Sequence, residues 1–185
     1  MKKHFFLIAL IVLLPSSILA QTIYTKFGGG YYFGVTEGFP EFGSGFSNTI
    51  TNSGTGIRLN GSVGYHLSEL ISLEIDGFYF SGRSSGLSQY KTIGYGFSPF
   101  IVLNKKLESI QLYSRLGLSL NNMDFSPSGF RSGFKFGFGF TGGLGLTYPI
   151  QNLFGIFIEA NGNLIDGGTI PYSNFGTSIG IKKDL

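Results

Sequence analysis

The chain has 185 residues, of which 42% are hydrophobic and only 12% are charged, and it contains no cysteine, which excludes disulfides and thiol chemistry. Its length fits a single domain, and a net charge of +3 gives no electrostatic reason to expect a nucleic-acid partner. The charged fraction is also well below the roughly 25–35% that a water-facing surface carries.

The first 20 residues predict a secretory signal peptide. Lys2 and Lys3 precede an apolar run from Phe5 to Leu14, and the small residue Ala20 stands at the expected cleavage site. The run is too short for a membrane-spanning helix, which needs about 20 residues. The prediction divides the chain into a signal peptide at residues 1–20 and one domain at residues 21–185.

The rest of the chain alternates between large apolar and small or polar residues. Phe136, Phe138 and Phe140, for example, alternate with Gly137 and Gly139. A period of two indicates β-strands, because successive side chains of a strand point to opposite faces of a sheet. The pattern predicts eight strands, at residues 22–34, 56–66, 70–81, 89–103, 109–121, 133–148, 153–164 and 172–181.

The two faces of these strands decide which kind of sheet they form. The apolar positions are too many and too large for the interior of an eight-stranded barrel, whereas the Gly, Ser, Thr and Asn of the other face suit a narrow lumen. The apolar face is therefore expected to contact lipid, and a closed barrel is the one β-structure that a bilayer tolerates. We predict an all-β fold, an eight-stranded antiparallel up-and-down transmembrane β-barrel.

The connections between the strands predict the orientation of the barrel. Residues 66–69, 104–108 and 149–152 form short connections, and the alternate connections are longer on average. Outer-membrane barrels have tight periplasmic turns and longer extracellular loops. We therefore expect a protein of the bacterial outer membrane with both termini in the periplasm.

Seven charged residues fall on the inward face. Because an isolated charge in a narrow lumen is costly, they are expected to pair with one another. The favoured interpretation is a network of ion pairs that plugs the lumen, and the alternative is a narrow ion path. The seven residues are Lys26, Arg58, Glu74, Asp76, Arg115, Lys135 and Glu159.

Two predicted loops carry aromatic residues, which often mark binding surfaces when they are exposed. They also have an alternative role, in packing over the barrel mouth or among lipopolysaccharide chains. The third loop is predicted to include Met123 as well. The candidate binding residues are Phe39, Phe42 and Phe46 in the first loop and Phe125, Phe130 and Arg131 in the third.

Catalysis is not expected. After removal of the signal peptide the chain retains one histidine, His66, at a predicted periplasmic turn, and a general base needs partners near the reacting group. The G-x-G-x-x-G pattern from Gly137 to Gly142 lies inside a predicted strand, which excludes a dinucleotide site. We predict no cofactor and no metal site.

The last predicted strand carries the most specific local pattern. Asn174, Gly176, Ile179 and Ile181 match a polar-x-Gly-x-x-apolar-x-apolar sequence. With this strand and its overall pattern, the chain resembles the small outer-membrane β-barrel family of OmpA/OmpX type, without the OmpA periplasmic domain. The resemblance implies that the barrel-assembly machinery reads this strand as its assembly signal, and that membrane lipid and lipopolysaccharide surround the protein, which we expect to be a monomer.

The function expected from the sequence is therefore non-enzymatic. We expect extracellular loops that serve surface interaction or envelope integrity, on a barrel with a plugged lumen. One alternative is a small channel or a conduit for ions or hydrophobic molecules, similar to OmpW. A lipid-modifying enzyme is a further alternative.

Overall fold

The computed structural model describes residues 23–37, 51–85, 90–127, 135–151, 154–166 and 171–185. No helix among these residues is long and apolar enough to cross a membrane. They form eight β-strands in chain order. The strands are β1 (Ile23–Glu37), β2 (Thr51–His66), β3 (Ile71–Ser85), β4 (Tyr90–Lys106), β5 (Gln111–Pro127), β6 (Lys135–Gln151), β7 (Phe154–Asp166) and β8 (Pro171–Asp184).

The strands close into a barrel. Each pairs antiparallel with its neighbours in sequence, and β8 pairs with β1. The closing register runs from Tyr24 opposite Asp184 to Thr36 opposite Tyr172. The predicted eight-stranded antiparallel up-and-down barrel is confirmed.

Large apolar side chains cover the outside of the barrel. Phe27, Leu116 and Leu144 are 70%, 69% and 68% exposed, whereas Lys26 and Arg115, on the opposite parity of the same strands, are buried. The apolar residues thus face outward and the small or polar residues face the lumen, as the alternation predicted. An apolar wall of this extent is stable when lipid covers it, and closure leaves no unpaired strand edge in the membrane.

Each strand is longer than the sequence pattern predicted. Most of the added residues lie at one end of the barrel, the end opposite the N- and C-termini. β5, predicted to end at residue 121, continues to Pro127, so Met123 is a buried lumen residue and Phe125 pairs with Thr92. The assignment of these two residues to a loop was wrong. Asn and Ser favour turns, but pairing with β4 supplies backbone partners there and the strand continues.

The two ends of the barrel differ. At the turn end, where β1 begins and β8 ends, residues 67–70 and 107–110 connect strands. Ser68 Oγ accepts hydrogen bonds from the backbone nitrogens of Leu70 and Ile71, and Leu107 N donates to Ile110 O over 2.8 Å. At the opposite end, the loop end, the connections are residues 38–50, 86–89, 128–134 and 167–170.

Glycines on the inner face make room for aromatic rings. A Cβ atom added at Gly64 would overlap the ring of Tyr24, and one at Gly28 or Gly180 would lie 2.6 or 2.7 Å from the ring of Phe157. The alternation of glycine with large residues on neighbouring strands therefore fills a narrow lumen, as expected for eight strands.

Candidate functional site

Six charged side chains meet near the middle of the lumen and form what we call the lumen ionic cluster. They come from β1, β2, β3, β5 and β7, and all six are buried. Three are cations and three are carboxylates, so their formal charges balance. The cluster consists of Lys26, Arg58, Glu74, Asp76, Arg115 and Glu159.

Arg115 lies at the centre of the cluster. Its Nη1 donates to Glu74 Oε1 over 2.7 Å, and its Nη2 donates to Glu159 Oε1. The same Nη2 lies 3.5 Å from Asp76 Oδ2. One planar guanidinium thus joins carboxylates from β3 and β7 across the lumen, a role that the fixed fork of arginine donors suits.

Two further cations complete the charge pairing on the β3 side. Lys26 Nζ lies 2.8 Å from Glu74 Oε2, and Arg58 Nη2 lies 3.2 Å from Asp76 Oδ2. Of the three carboxylates, Glu159 alone has no ion pair with a second cation among the described side chains. It therefore depends on Arg115 for its charge compensation.

Two tyrosines that the sequence analysis did not assign to the network bind its carboxylates. Tyr24 donates to Glu74 Oε2 over 2.8 Å, and Tyr113 donates to Glu159 Oε2 over 2.9 Å. The Tyr113 ring also lies 4.2 Å from Lys26 Nζ. The sequence could have placed both tyrosines in the lumen. Tyr24 is two residues before Lys26 and Tyr113 is two residues before Arg115, so each tyrosine faces the same side of its strand as that cation.

The structure brings together six of the seven predicted lumen charges. Lys135 begins β6 and pairs with Met123 at the loop end, away from the level of Arg115, and its side chain lies outside the described residues. The seventh residue is therefore not part of the cluster as described.

Toward the loop end, the lumen contents change from ionic to polar and then to apolar. Ser98, Ser119, Asn121 and Asn161 are buried on the loop side of Arg115 and Glu159, and within the described ranges Asn161 Oδ1 has no hydrogen-bond partner. An apolar cluster lies further toward the loop end, on β1, β3, β5 and β7. It consists of Tyr32, Phe78, Phe80, Met123 and Ile165.

At the turn end, His66, Ser72 and Asp184 have the residue types of a hydrolase triad. His66 Nδ1 lies 2.7 Å from Ser72 Oγ, and His66 Nε2 lies 3.8 Å from Asp184 Oδ1. Ser72 is fully buried, however, and Asn104 Nδ2 donates to the same hydroxyl oxygen over 2.8 Å. A substrate has no approach to this serine, so we interpret the His66–Ser72 contact as a structural hydrogen bond.

The turn end also corrects two details of the sequence analysis. His66 is the last residue of β2, where the predicted strand 56–66 also ended, and it does not belong to the predicted connection 66–69; its ring lies 4.7 Å from that of Tyr24. The sequence pattern ended the last strand at Ile181, whereas β8 continues to Asp184 and Lys182 is buried. Continuing the alternation of Ser178 and Gly180 by one step would have placed Lys182 inside.

The other predicted site residues lie apart from the cluster. Ile179 and Ile181 face outward from β8, Gly176 faces inward, and Asn174 accepts a hydrogen bond from Asn163 Nδ2. Within the described ranges no group of side chains is arranged to hold a metal ion. The remaining loop candidates, Phe39, Phe42, Phe46, Phe130 and Arg131, lie outside the described residues.

Comparisons with known proteins agree on the fold. Residues 6–182 match the family described as outer membrane protein beta-barrel domain. Neisserial surface protein A is similar in structure, with a TM-score of 0.62 and 16% identity over 88% of this chain and 97% of that chain. A comparison with curated protein sequences found no significant match.

Two structures from Pseudomonas aeruginosa are also similar. The N-terminal β-barrel domain of OprF has a TM-score of 0.57 and 15% identity over 89% of this chain and 97% of that chain. The outer membrane protein OprG has a TM-score of 0.54 and 12% identity over 89% of this chain and 96% of that chain. At these identities the likeness is one of fold.

Proposed function

Because the chain belongs to the outer membrane protein beta-barrel domain family, we propose that it is a non-enzymatic barrel that acts at the cell surface through its loop end. Family membership supports a location in the outer membrane. The observation that carries the proposal is the bridge across the lumen, in which Arg115 joins Glu74 and Glu159 from opposite walls. Surface interaction or envelope integrity then depends on the loops.

The proposed orientation places the loop end outside the cell and both termini in the periplasm, with residues 1–20 removed as a signal peptide and residues 21–185 forming the barrel. The short connections at residues 67–70 and 107–110 support this orientation, because outer-membrane barrels have their tight turns on the periplasmic side.

Two barriers in series support a closed lumen. The lumen ionic cluster neutralises its own charges, so it offers no uncompensated site to a passing ion. The apolar cluster around Phe80 and Met123 forms a second barrier nearer the loop end. An eight-stranded barrel leaves little more space than its own side chains fill.

We expect no stable conductance steps from the purified protein in planar bilayers. The matched variant is the double substitution Arg115→Ala with Phe80→Ala, which removes one side chain from each barrier and should produce steps. The single variant Phe80→Ala retains the ionic cluster and should remain silent. Regular conductance steps from the unmodified protein would contradict the proposal.

One observation favours a second candidate, a small channel or conduit of the OmpW-like kind. The buried oxygens Asn60 Oδ1, Asn161 Oδ1 and Asn163 Oδ1 have no hydrogen-bond partner among the residues that the structure describes, and water bound there would line a path. Conductance of the unmodified protein is the outcome that would favour this candidate. The enzymatic alternative predicts altered lipid A mass spectra in cells that express the protein, and we expect none.

The assembly machinery is the partner proposed for the last strand. Ile179→Asp should accumulate unfolded protein in the periplasm, because it changes an apolar position of the proposed assembly signal. Ile158→Asp is the matched control, since Ile158 pairs directly with Ile179 and faces the same lipid. Heat-modifiable mobility on gels measures folding in cells, and equal defects in the two variants would assign the effect to the lipid face alone.

A further inference from the structure

Two cations face outward side by side on the barrel wall near the loop end. Arg83 of β3 and Lys91 of β4 are directly opposite in the register, and both are exposed. Residues directly opposite in an antiparallel pair have Cβ atoms about 4.5–5.5 Å apart, and like charges placed in this way destabilise the sheet. The two cations therefore destabilise the sheet, and nothing in the packing of the barrel requires them to be opposite each other.

No carboxylate among the described side chains compensates this pair. Neither cation forms an ion pair with a side chain in the described part of the chain, although Arg58, Arg115 and Lys26 inside the barrel all do. Asp124 of β5, an outward carboxylate, is opposite Ile93 and so lies diagonally from Lys91 rather than beside it. An anion from outside the chain would relieve the repulsion between the two cations.

A groove of about 490 Å³ lies beside the two cations on the outer wall. It is lined by Tyr31, Ile57 and Ser81 in addition to Arg83 and Lys91. Tyr31 and Ile57 are 70% and 52% exposed. Tyr31 is opposite Ile57, and Ile57 is opposite Ser81, so the three side chains form a row across β1, β2 and β3. Because Ser81 is small where the neighbouring outward residues are large, the wall is hollow at this position.

We propose that this groove binds a phosphorylated membrane lipid, with its phosphate between Arg83 and Lys91 and its apolar part against Tyr31 and Ile57. Both cations donate charge-assisted hydrogen bonds to phosphate oxygens, and arginine does so in a bidentate manner. The placement rests on the proposed function, because it requires the apolar wall to lie in a membrane. The site combines an anion-binding rim with an apolar wall, which a free phosphate ion would not use.

The test measures binding of lipid A that carries two phosphate groups to the folded full-length barrel in zwitterionic micelles, by native mass spectrometry. Arg83→Gln with Lys91→Gln should weaken binding about 25-fold, from about fivefold for each cation near a membrane surface. Lys105→Gln with Lys183→Gln is the matched control, because it removes two exposed cations at the turn end. We expect this control to bind as the unmodified protein does.

A second variant tests the groove without changing the charge. Ser81→Leu fills the hollow and leaves both cations in place, so it should also weaken binding. Dephosphorylated lipid A should bind like the Arg83→Gln, Lys91→Gln variant, and inorganic phosphate at millimolar concentration should not compete. Heat-modifiable mobility on gels confirms that each variant is folded before the measurement.

Three outcomes would overturn the proposal: equal binding by the unmodified protein and the double variant, equal binding of dephosphorylated lipid A, or full competition by inorganic phosphate. The last would indicate an anion site without a lipid. Failure here is distinguishable from failure of the proposed function, because conductance through the lumen does not involve Arg83 or Lys91.

Discussion

Arg115→Ala is expected to lower the free energy of unfolding by about 3–5 kcal/mol, the usual cost of removing one partner from a buried ion pair. The substitution removes a cation that lies within ion-pair distance of Glu74, Asp76 and Glu159. Glu74 keeps Lys26 and Asp76 keeps Arg58, so the loss falls mainly on Glu159.

A double-mutant cycle identifies the partner. In the Arg115→Ala background, Glu159→Gln should restore part of the lost stability, because it removes the carboxylate that has no second cation. Glu74→Gln in the same background should destabilise further, since Lys26 would lose its partner. Urea titration of the folded barrel in phosphocholine vesicles measures these differences.

The control for this cycle is Lys105→Ala, which removes a cation at an exposed position near the turn end. It should alter stability by no more than about 0.5 kcal/mol, as expected for a surface substitution. If Arg115→Ala were equally mild, the lumen ionic cluster would be hydrated rather than buried, and the channel interpretation would gain support.

Leu118→Arg is expected to cost about 2–4 kcal/mol, because it places a charge on the lipid face close to the bilayer midplane. Leu118 faces outward near the middle of β5 and is opposite Phe140 of β6. Arginine at this depth cannot reach the headgroups without distorting the bilayer.

The matched control is Leu107→Arg, at a residue that is equally exposed but lies in the turn between β4 and β5. The cost there should fall to about 0–1 kcal/mol, because the charge meets the interface. Urea titrations of both variants in vesicles measure the difference. Equal losses would show that the wall around Leu118 is not at the level of the bilayer core.

The sequence predicted the strands well where one face is apolar and the other small. Leu116 and Leu118 alternate with Arg115 and Ser119, and this period alone assigns a side of the sheet to each residue. Strand ends were less predictable, because Asn122 and Ser126 read as turn residues. β5 continues through these residues because they pair with β4. The alternation alone does not reveal whether a neighbouring strand extends far enough to pair there.

Contacts across the lumen could not be predicted from the alternation. It placed Arg115, Glu74 and Glu159 inside, but their meeting depends on strand stagger and on how far each side chain reaches. Arg58 is opposite Phe80 in the register, yet its guanidinium binds Asp76, which is opposite Ser62.

The division of the lumen ionic cluster among strands has a consequence for the order of barrel assembly. The first three strands carry Lys26, Arg58, Glu74 and Asp76, which balance one another. β5 then adds Arg115, and the balancing carboxylate, Glu159, arrives with β7. A sheet of β1 to β6 therefore retains one surplus positive charge from the cluster, and the final hairpin both neutralises it and supplies the strand that joins β1.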